Sequence, residues 1–270
     1  MKKVILSLVA GALLTCFANA RNIEEIKTSD NIKIGVFADK PPFGFVDKEG
    51  KFQGYDIYFA KRIAKDLLGS EDKLTLVPVE AASRVEFLQS DKVDIILANF
   101  TKTPERARVV DFALPYMKVS LGIASPKNAE IKDIKELDGK TLIVNKGTTA
   151  DAYFTKNKNG VNLAKYDQNT ETFGALLDGR GAALAHDNTL LFAWVKNNPD
   201  FVVGISELGD IDVIAPAVKK GNKELLEWLN NEIVKLGEEQ FFHKNYDETL
   251  APVYGTDIDK ESVVVEGGKI

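Results

Sequence analysis

Charged side chains with the chemistry to hold a carboxylate lie just after a predicted strand. Arg106 falls in the first turn of a predicted helix that follows the apolar strand predicted at 93–98. A guanidinium there opposes the helix dipole, and a bound anion would offset that cost, with the Thr101 hydroxyl as a further partner. The alternative is a surface arginine paired with Glu105 or Asp111.

A second candidate is the sequence Gly-Thr-Thr at 147–149, at the start of another predicted helix. Its backbone N–H groups suit an anion, although an ordinary helix N-cap explains the same residues. If the ligand is anionic at one end, Thr149 joins Arg106 and Thr101 as the predicted carboxylate-binding residues.

A third candidate is Asp187, which follows a predicted buried strand and could receive an ammonium group. It is equally suitable as a helix N-cap. Because a carboxylate and an ammonium joined by one carbon need opposite charges a few ångströms apart, the three places together predict an α-amino acid as ligand.

The rest of the ligand would meet side chains near these strand ends. Arg84 is either a solvated charge or a group that faces the ligand side chain, and the aromatic residues either line a cleft or belong to the core. The candidates for the ligand side chain are Arg84, Phe37, Phe43, Tyr55, His186 and Tyr116.

The elements that must position these residues alternate along the chain, which predicts an α/β protein with mostly parallel sheets. The predicted strands or extended segments are 32–36, 74–79, 93–98, 117–124, 141–144, 163–166, 182–185 and 213–218. The predicted helices are 56–68, 82–89, 170–177, 187–195 and 224–236, with two more that begin near 103 and 147.

This pattern runs twice, over about 32–118 and about 141–212, which predicts two lobes. The segments 118–124 and 213–218 are extended, and two such crossings would form a hinge. The predicted first lobe comprises 21–118 plus 217–270, and the second comprises 119–216.

Composition excludes several classes of protein. The 270 residues include 35 Lys and Arg against 40 Asp and Glu, a net charge of −5, which argues against a nucleic-acid partner. One cysteine and two distant histidines, His186 and His243, argue against a disulfide framework or a metal site. No metal or other cofactor is predicted.

The first twenty residues read as an export signal. Lys2 and Lys3 precede an apolar run at 4–14, which is too short to span a bilayer, and a small-x-small cleavage site ends at Ala20. The alternative is a degenerate lipobox in which Cys16 becomes lipidated. Either interpretation places the mature protein outside the cytoplasm.

The residues also resemble a known family, the amino-acid-binding members of the bacterial extracellular solute-binding proteins, family 3, which serve ABC importers in the periplasm. The resemblance covers nearly all of 22–248. Its motifs lie at 35–43, 54–56, 93–96, 101–106, 111–116, 147–149 and 180–187.

The resemblance implies a type II periplasmic-binding fold with two α/β lobes, two crossover strands and the ligand in the cleft. It implies that Arg106 and Thr101, helped by the Thr149 backbone, hold the ligand carboxylate. It also implies that Asp187 and the region of Asn99 hold the ammonium. The implied partners are a free L-amino acid and an inner-membrane permease with its ATPase, and the chain is expected to be a monomer.

Within this family, the segments 80–87, 186–194 and 263–270 resemble a cysteine-binding branch found in epsilonproteobacteria. Phe37 and Ala81 depart from the polar and aromatic residues that are common at their positions. An arginine at the position of Arg84 also occurs in members that bind aspartate or glutamate. Cysteine is therefore the first predicted ligand and an acidic amino acid the second.

The alternative to a binding protein is an exported enzyme on the same scaffold, similar to cyclohexadienyl dehydratase. Such an enzyme needs a general acid in the cleft, for which Asp187 and Glu80 are candidates. No nucleophile motif of the Gly-x-Ser-x-Gly type occurs, and transport without catalysis is the favoured hypothesis.

Overall fold

The computed structural model describes residues 20–157 and 160–270, so most of the predicted leader and Cys16 lie outside the described residues. The strands are β1 Ile32–Val36, β2 Asp39–Lys40, β3 Gly44–Val46, β4 Phe52–Gln53, β5 Leu74–Pro78, β6 Ile95–Ile96, β7 Val110–Phe112, β8 Met117–Pro126, β9 Thr141–Asn145, β10 Asn162–Tyr166, β11 Ala183–Asp187, β12 Phe201–Ile214 and β13 Ala217–Lys219.

The helices alternate with these strands over most of the chain and then follow one another at its end. They are α1 Ile23–Thr28, α2 Tyr55–Leu68, α3 Arg84–Gln89, α4 Pro104–Ala107, α5 Thr149–Asn157, α6 Asn169–Leu177, α7 Asn188–Asn197, α8 Lys223–Glu238, α9 Phe241–Thr249, α10 Ala251–Tyr254 and α11 Lys260–Val263. Short 3-10 helices lie at Glu71–Lys73, Ala81–Ser83, Lys127–Ala129, Ile134–Leu137 and Glu266–Gly268.

Two five-stranded sheets carry the fold, in the orders β5-β1-β6-β13-β7 and β10-β9-β11-β8-β12. In the first sheet β1 is parallel to β5 and β6, and only β13 runs against its neighbours. In the second sheet β9 is parallel to β10 and β11, and only β8 is reversed. The predicted mostly parallel α/β architecture is therefore confirmed. We call the parts built on these sheets the first and second lobe.

Local patterns explain most of these elements. Helix α2 buries the predicted apolar face of Ile57, Ala60, Ala64 and Leu67, and it ends at Gly69, whose positive φ of 83° favours glycine. The buried residues of β1 lie between α2 and the rest of the lobe core.

Two strands of the structure differ in length from the predicted ones. The strand predicted at 93–98 is shorter in the structure, at Ile95–Ile96, and the chain turns after it at Asn99, whose φ of 44° is left-handed. Strand β12 is far longer than its predicted extended segment. Many of its residues are exposed or half-buried and its register against β8 shifts three times, so alternation is weak.

The C-terminal tail is ordered against the body of the protein. Val263, Val264 and Val265 are buried, and the Val265 N–H donates to the Tyr116 carbonyl at 3.1 Å. Gly267 lies so close to α8 that a Cβ on Gly237 would be 2.4 Å from its Cα. The tail thus packs beside the first crossing between the lobes.

Across residues 20–157 and 160–270, none of the helices combines the length and the apolar character needed to cross a membrane.

Candidate functional site

The candidate site lies where the carboxyl ends of strands from both lobes face each other. The first lobe contributes the segments that follow β1 and β6, and the second contributes the end of β11 and the turn after β9. Hydrogen bonds between side chains of one lobe and groups of the other join these segments into one cluster. This is the edge at which open α/β sheets bind ligands.

Asp187 is the buried carboxylate of this cluster. Its Oδ2 accepts hydrogen bonds from Lys40 Nζ at 2.8 Å and from Asn99 Nδ2 at 3.0 Å. Although Asp187 occupies the N-cap position of α7, its side chain makes no capping hydrogen bond. Burial alone would raise the pKa of Asp187, but Lys40 and His186 together outweigh it and lower that pKa below its usual range.

Lys40 is a cluster residue that the sequence patterns did not single out. Its side chain is 2 % exposed, and its Nζ lies 5.2 Å and 5.9 Å from the ring centroids of Phe37 and Phe43. Burial lowers the pKa of Lys40, and Asp187 works against that shift. Its position could have identified it, because Lys40 closely follows β1, as the other site residues follow their strands.

Asn99 links Asp187 to a buried acid behind it. The Asn99 N–H donates to Asp56 Oδ2 at 2.8 Å, and the Tyr116 hydroxyl donates to Asp56 Oδ1 at 2.6 Å. Burial raises the pKa of Asp56 to about 7 despite these two hydrogen bonds. Within the described ranges the buried Asn99 Oδ1 has no hydrogen-bond partner.

Arg84 is buried in the first lobe, so it is not a solvated charge. Its guanidinium donates to the backbone carbonyls of Ala81, Ala98, Asn99 and Gly147 at 2.9–3.3 Å. It also lies 4.4 Å from the ring centroid of Phe100. Burial and then repulsion from Arg106 hold the pKa of Arg84 well below its usual range, yet a guanidinium keeps its charge at neutral pH. No carboxylate forms a salt bridge with Arg84 in the part of the chain that the structure describes.

Arg106 points into the cleft and forms a salt bridge with neither Glu105 nor Asp111, the surface partners considered above. It donates from Nη1 to the Thr101 carbonyl at 2.7 Å and from Nη2 to the Gly147 carbonyl at 2.9 Å. Asp111 pairs instead with Lys220 at 2.6 Å. Burial lowers the pKa of Arg106 to about 10.

Gly147 is where the two lobes touch backbone to backbone. Its carbonyl accepts from both arginines, and a Cβ at this position would lie 2.5 Å from Ala82 Cα in the first lobe. Its N–H donates to Asp151 and is not free for an anion. Thr149, half-buried, lines a cavity of 770 Å³ with Arg106 at the mouth of the cleft.

Three of the predicted aromatic residues belong to this region and one does not. Phe37 and Phe43 flank Lys40, and Tyr116 reaches the cluster through Asp56. Tyr55 lies in the core, where its hydroxyl donates to the Phe242 carbonyl at 3.4 Å.

His186 is buried behind Asp187. Its Nδ1 accepts from the Asp187 N–H at 2.8 Å, and its ring stacks on Phe173. Burial lowers the pKa of His186, which favours the neutral ring. Its Nε2 finds no partner among the residues described.

The cluster carries an excess of positive charge. Lys40, Arg84 and Arg106 face the ionised Asp187, the partly protonated Asp56 and, near Arg106, the half-buried Asp212. A buried guanidinium without a counter-ion is costly, so the site suits a ligand that brings negative charge. The described residues contain no group of His, Cys, Asp and Glu side chains that could hold a metal.

Comparison with known proteins identifies the family of the chain. Residues 32–250 match the model of the bacterial extracellular solute-binding proteins, family 3. A glutamine-binding protein from Geobacillus stearothermophilus is 34% identical over 188 residues, which cover 69% of this chain and 72% of that protein.

Two crystal structures are more similar. A cysteine-binding protein from Campylobacter jejuni is 64% identical with a TM-score of 0.89, and the match covers 90% of this chain and 98% of that one. A solute receptor for L-cysteine from Neisseria gonorrhoeae is 58% identical with a TM-score of 0.90, covering 91% and 100%. The resemblance inferred from the sequence motifs is confirmed, and the chain belongs to the bacterial extracellular solute-binding proteins, family 3.

Proposed function

We propose that the protein captures an L-amino acid, cysteine in the first place, between its two lobes and delivers it to the permease of an ABC importer. The observation that carries the proposal is the cluster itself. Arginines of the first lobe and the Asp187 carboxylate of the second meet in one buried cleft, which matches the two charged ends of an amino acid. The similarity to two cysteine-binding proteins supports the choice of ligand.

In this proposal Arg106, with Thr101 and Thr149, holds the ligand carboxylate, because a guanidinium fork matches carboxylate geometry. Asp187 and Asn99 hold the ammonium. Both hydrogen bonds to Asp187 reach Oδ2, and Asn99 Oδ1 is an unpartnered buried acceptor, so oxygen atoms are available for N–H donors.

Arg84 and Lys40 face the ligand side chain. Nearby cations lower the pKa of a thiol, so this end of the cleft favours cysteine over serine or alanine. An acidic amino acid is the second candidate, because the charge of Arg84 would pair directly with its side-chain carboxylate.

We further propose that the protein has no catalytic activity. Asp187 is bonded to Lys40 and Asn99 and its pKa lies below its usual range, so it holds no proton to donate, and Glu80 is exposed and lies outside the buried cluster. Loss of prephenate absorbance on adding the purified protein would contradict this.

The remaining parts of the proposal concern the protein's setting. We place it in the periplasm as a monomer, with either cleavage after Ala20 or a lipid on Cys16, beside a permease and its ATPase. The hinge comprises 118–124 and 213–218, between lobes at 21–118 plus 217–270 and at 119–216.

A thermal-melt panel against the twenty L-amino acids, with reductant and after unfolding and refolding to remove carried-over ligand, tests the function. A ligand at a thousand times its dissociation constant stabilises the fold by about 4 kcal/mol. A shift with cysteine supports the proposal, a shift with aspartate or glutamate selects the second ligand, and no shift with any amino acid contradicts it.

Arg84→Ala tests the orientation of the ligand. We expect cysteine to lose its advantage over serine and alanine by tenfold or more, since a hydrogen bond to a charged group contributes about 1.5–3 kcal/mol. Arg180→Ala is the matched control, because Arg180 is exposed and interacts with Asp178 and Tyr166 at the surface. Isothermal titration with the three amino acids measures the change, and an unaltered preference would move the ligand side chain away from Arg84.

A further inference from the structure

Helix α6 of the second lobe begins without a cap from its own lobe. Its N-cap residue, Gln168, makes no side-chain capping hydrogen bond. The first amides of a helix have no partner within the helix and need an acceptor. Here the acceptor comes from the first lobe.

That acceptor is the carboxylate of Asp39. Its Oδ2 accepts from the N–H of Asn169 at 2.8 Å and from the N–H of Thr170 at 3.2 Å. Its Oδ1 accepts from Asn169 Nδ2 at 2.9 Å. A carboxylate at this end of a helix is also favoured by the helix dipole.

The same short strand reaches the second lobe at two places. In β2, Asp39 and Lys40 are adjacent and point in opposite directions, as neighbours on a strand do. Lys40 bonds Asp187 inside the binding cluster, whereas Asp39 bonds the start of α6, outside it. The hydrogen bonds of Asp39 therefore act on the relation between the lobes and not on the ligand groups.

We propose that Asp39 is a positioning residue that stabilises the closed form by capping α6 across the cleft. The contact exists only while the lobes are together, and it is replaced by water when they part. The inference rests on the proposed function in one respect, that closure accompanies ligand capture. Ligand affinity then depends on a side chain that does not touch the ligand.

This role has a kinetic signature. Loss of the cap raises the rate at which the closed complex opens and releases ligand, while association with the open form is unchanged. Because a helix cap corresponds to a factor of roughly 3 to 30 in an equilibrium, we expect the dissociation rate of cysteine to rise by about that factor.

The experiment compares Asp39→Ala with Asp133→Ala by stopped-flow fluorescence with cysteine, because asparagine would still cap a helix. Asp133 caps the 3-10 helix Ile134–Leu137 within one lobe, so its loss should lower stability without changing release. We expect faster release for Asp39→Ala alone, and a lower melting temperature in the cysteine-bound but not the ligand-free protein. Equal release rates, or equal losses of stability in both states, would overturn the proposal.

Gln168→Ser provides an independent test, since it offers α6 a cap from its own lobe in both the open and the closed form. We expect it to weaken binding when Asp39 is present and to do much less in the Asp39→Ala background. Additive effects would count against the cross-lobe cap.

A wild-type protein that binds no cysteine would contradict the proposed function separately. The cap is then measured as the closed fraction of ligand-free protein by energy transfer between dyes on the two lobes. An unchanged closed fraction in Asp39→Ala would again overturn it.

Discussion

The two walls of the cleft differ in the sign of their charge and in how that charge is held. The first lobe presents Lys40, Arg84 and Arg106, whose arginines are held by backbone carbonyls and the face of Phe100. The second lobe presents one buried carboxylate, Asp187, and the Gly147 carbonyl.

This difference has a physical consequence. Neutral carbonyls can orient a cation but do not balance its charge, so the first wall stays electrostatically incomplete by itself. The second wall supplies the counter-charge only when the lobes meet. In the proposed function, this couples ligand capture to closure by electrostatics as well as by shape.

The largest effect should come from removing the counter-charge with Asp187→Asn. Breaking a buried ion pair costs about 3–5 kcal/mol because the remaining charge is left unpaired. We expect lower stability in denaturant unfolding and at least a hundredfold loss of amino-acid affinity by titration calorimetry. Asp167→Asn, in the same lobe but exposed and paired with Lys146, should change neither. Retained affinity would show that Asp187 does not hold the ligand ammonium.

The next effect concerns one cation of the opposite wall. Arg106→Ala should weaken binding of every amino acid by about 2–3 kcal/mol, the lower part of the range for truncated charge pairs, because Arg84 and Lys40 remain. Titration calorimetry with cysteine and aspartate measures this loss. Arg108→Ala, an exposed arginine at the end of the same short helix, is the control. If affinity is unchanged, the carboxylate is held elsewhere.

The smallest effect concerns Asp56, the buried acid that bonds Asn99 and Tyr116 in the first lobe. Because the folded-state pKa of Asp56 is raised to about 7, its protonated form stabilises the fold below its ordinary pKa, and this contribution is lost as pH rises through about 7. Asp56→Asn removes the titration and keeps an acceptor for Asn99 or Tyr116. Unfolding free energies at pH 4.5, 7 and 8.5 should show wild type losing stability relative to the variant as pH rises. Parallel pH profiles would mean that Asp56 does not titrate in this range.

Much of the site could be predicted from residue type and position. Arg106 and Asp187 follow predicted strands and belong to one cluster across the cleft. Arg84 is buried, which excludes the alternative that it is a solvated charge. Their roles toward a ligand remain proposals. The motifs also led to the correct family.

Other residues could not be assigned this way. Lys40 and Asp39 lie in a short strand among prolines, where no periodicity distinguishes a cluster residue from a surface one. Tyr55 was indistinguishable from the cleft aromatics, because an aromatic residue near a strand end fits the core equally well.

The sequence by itself determined the elements and the family, because hydrophobic periodicity and turn residues act over a few positions along the chain. Only the tertiary structure decided that Lys40 meets Asp187, 147 positions away, and that α6 takes its cap from the other lobe. It also decided the protonation of Asp56, since burial and the groups that surround a carboxyl determine its pKa. Such contacts depend on how two separately patterned lobes come together, which no local pattern encodes.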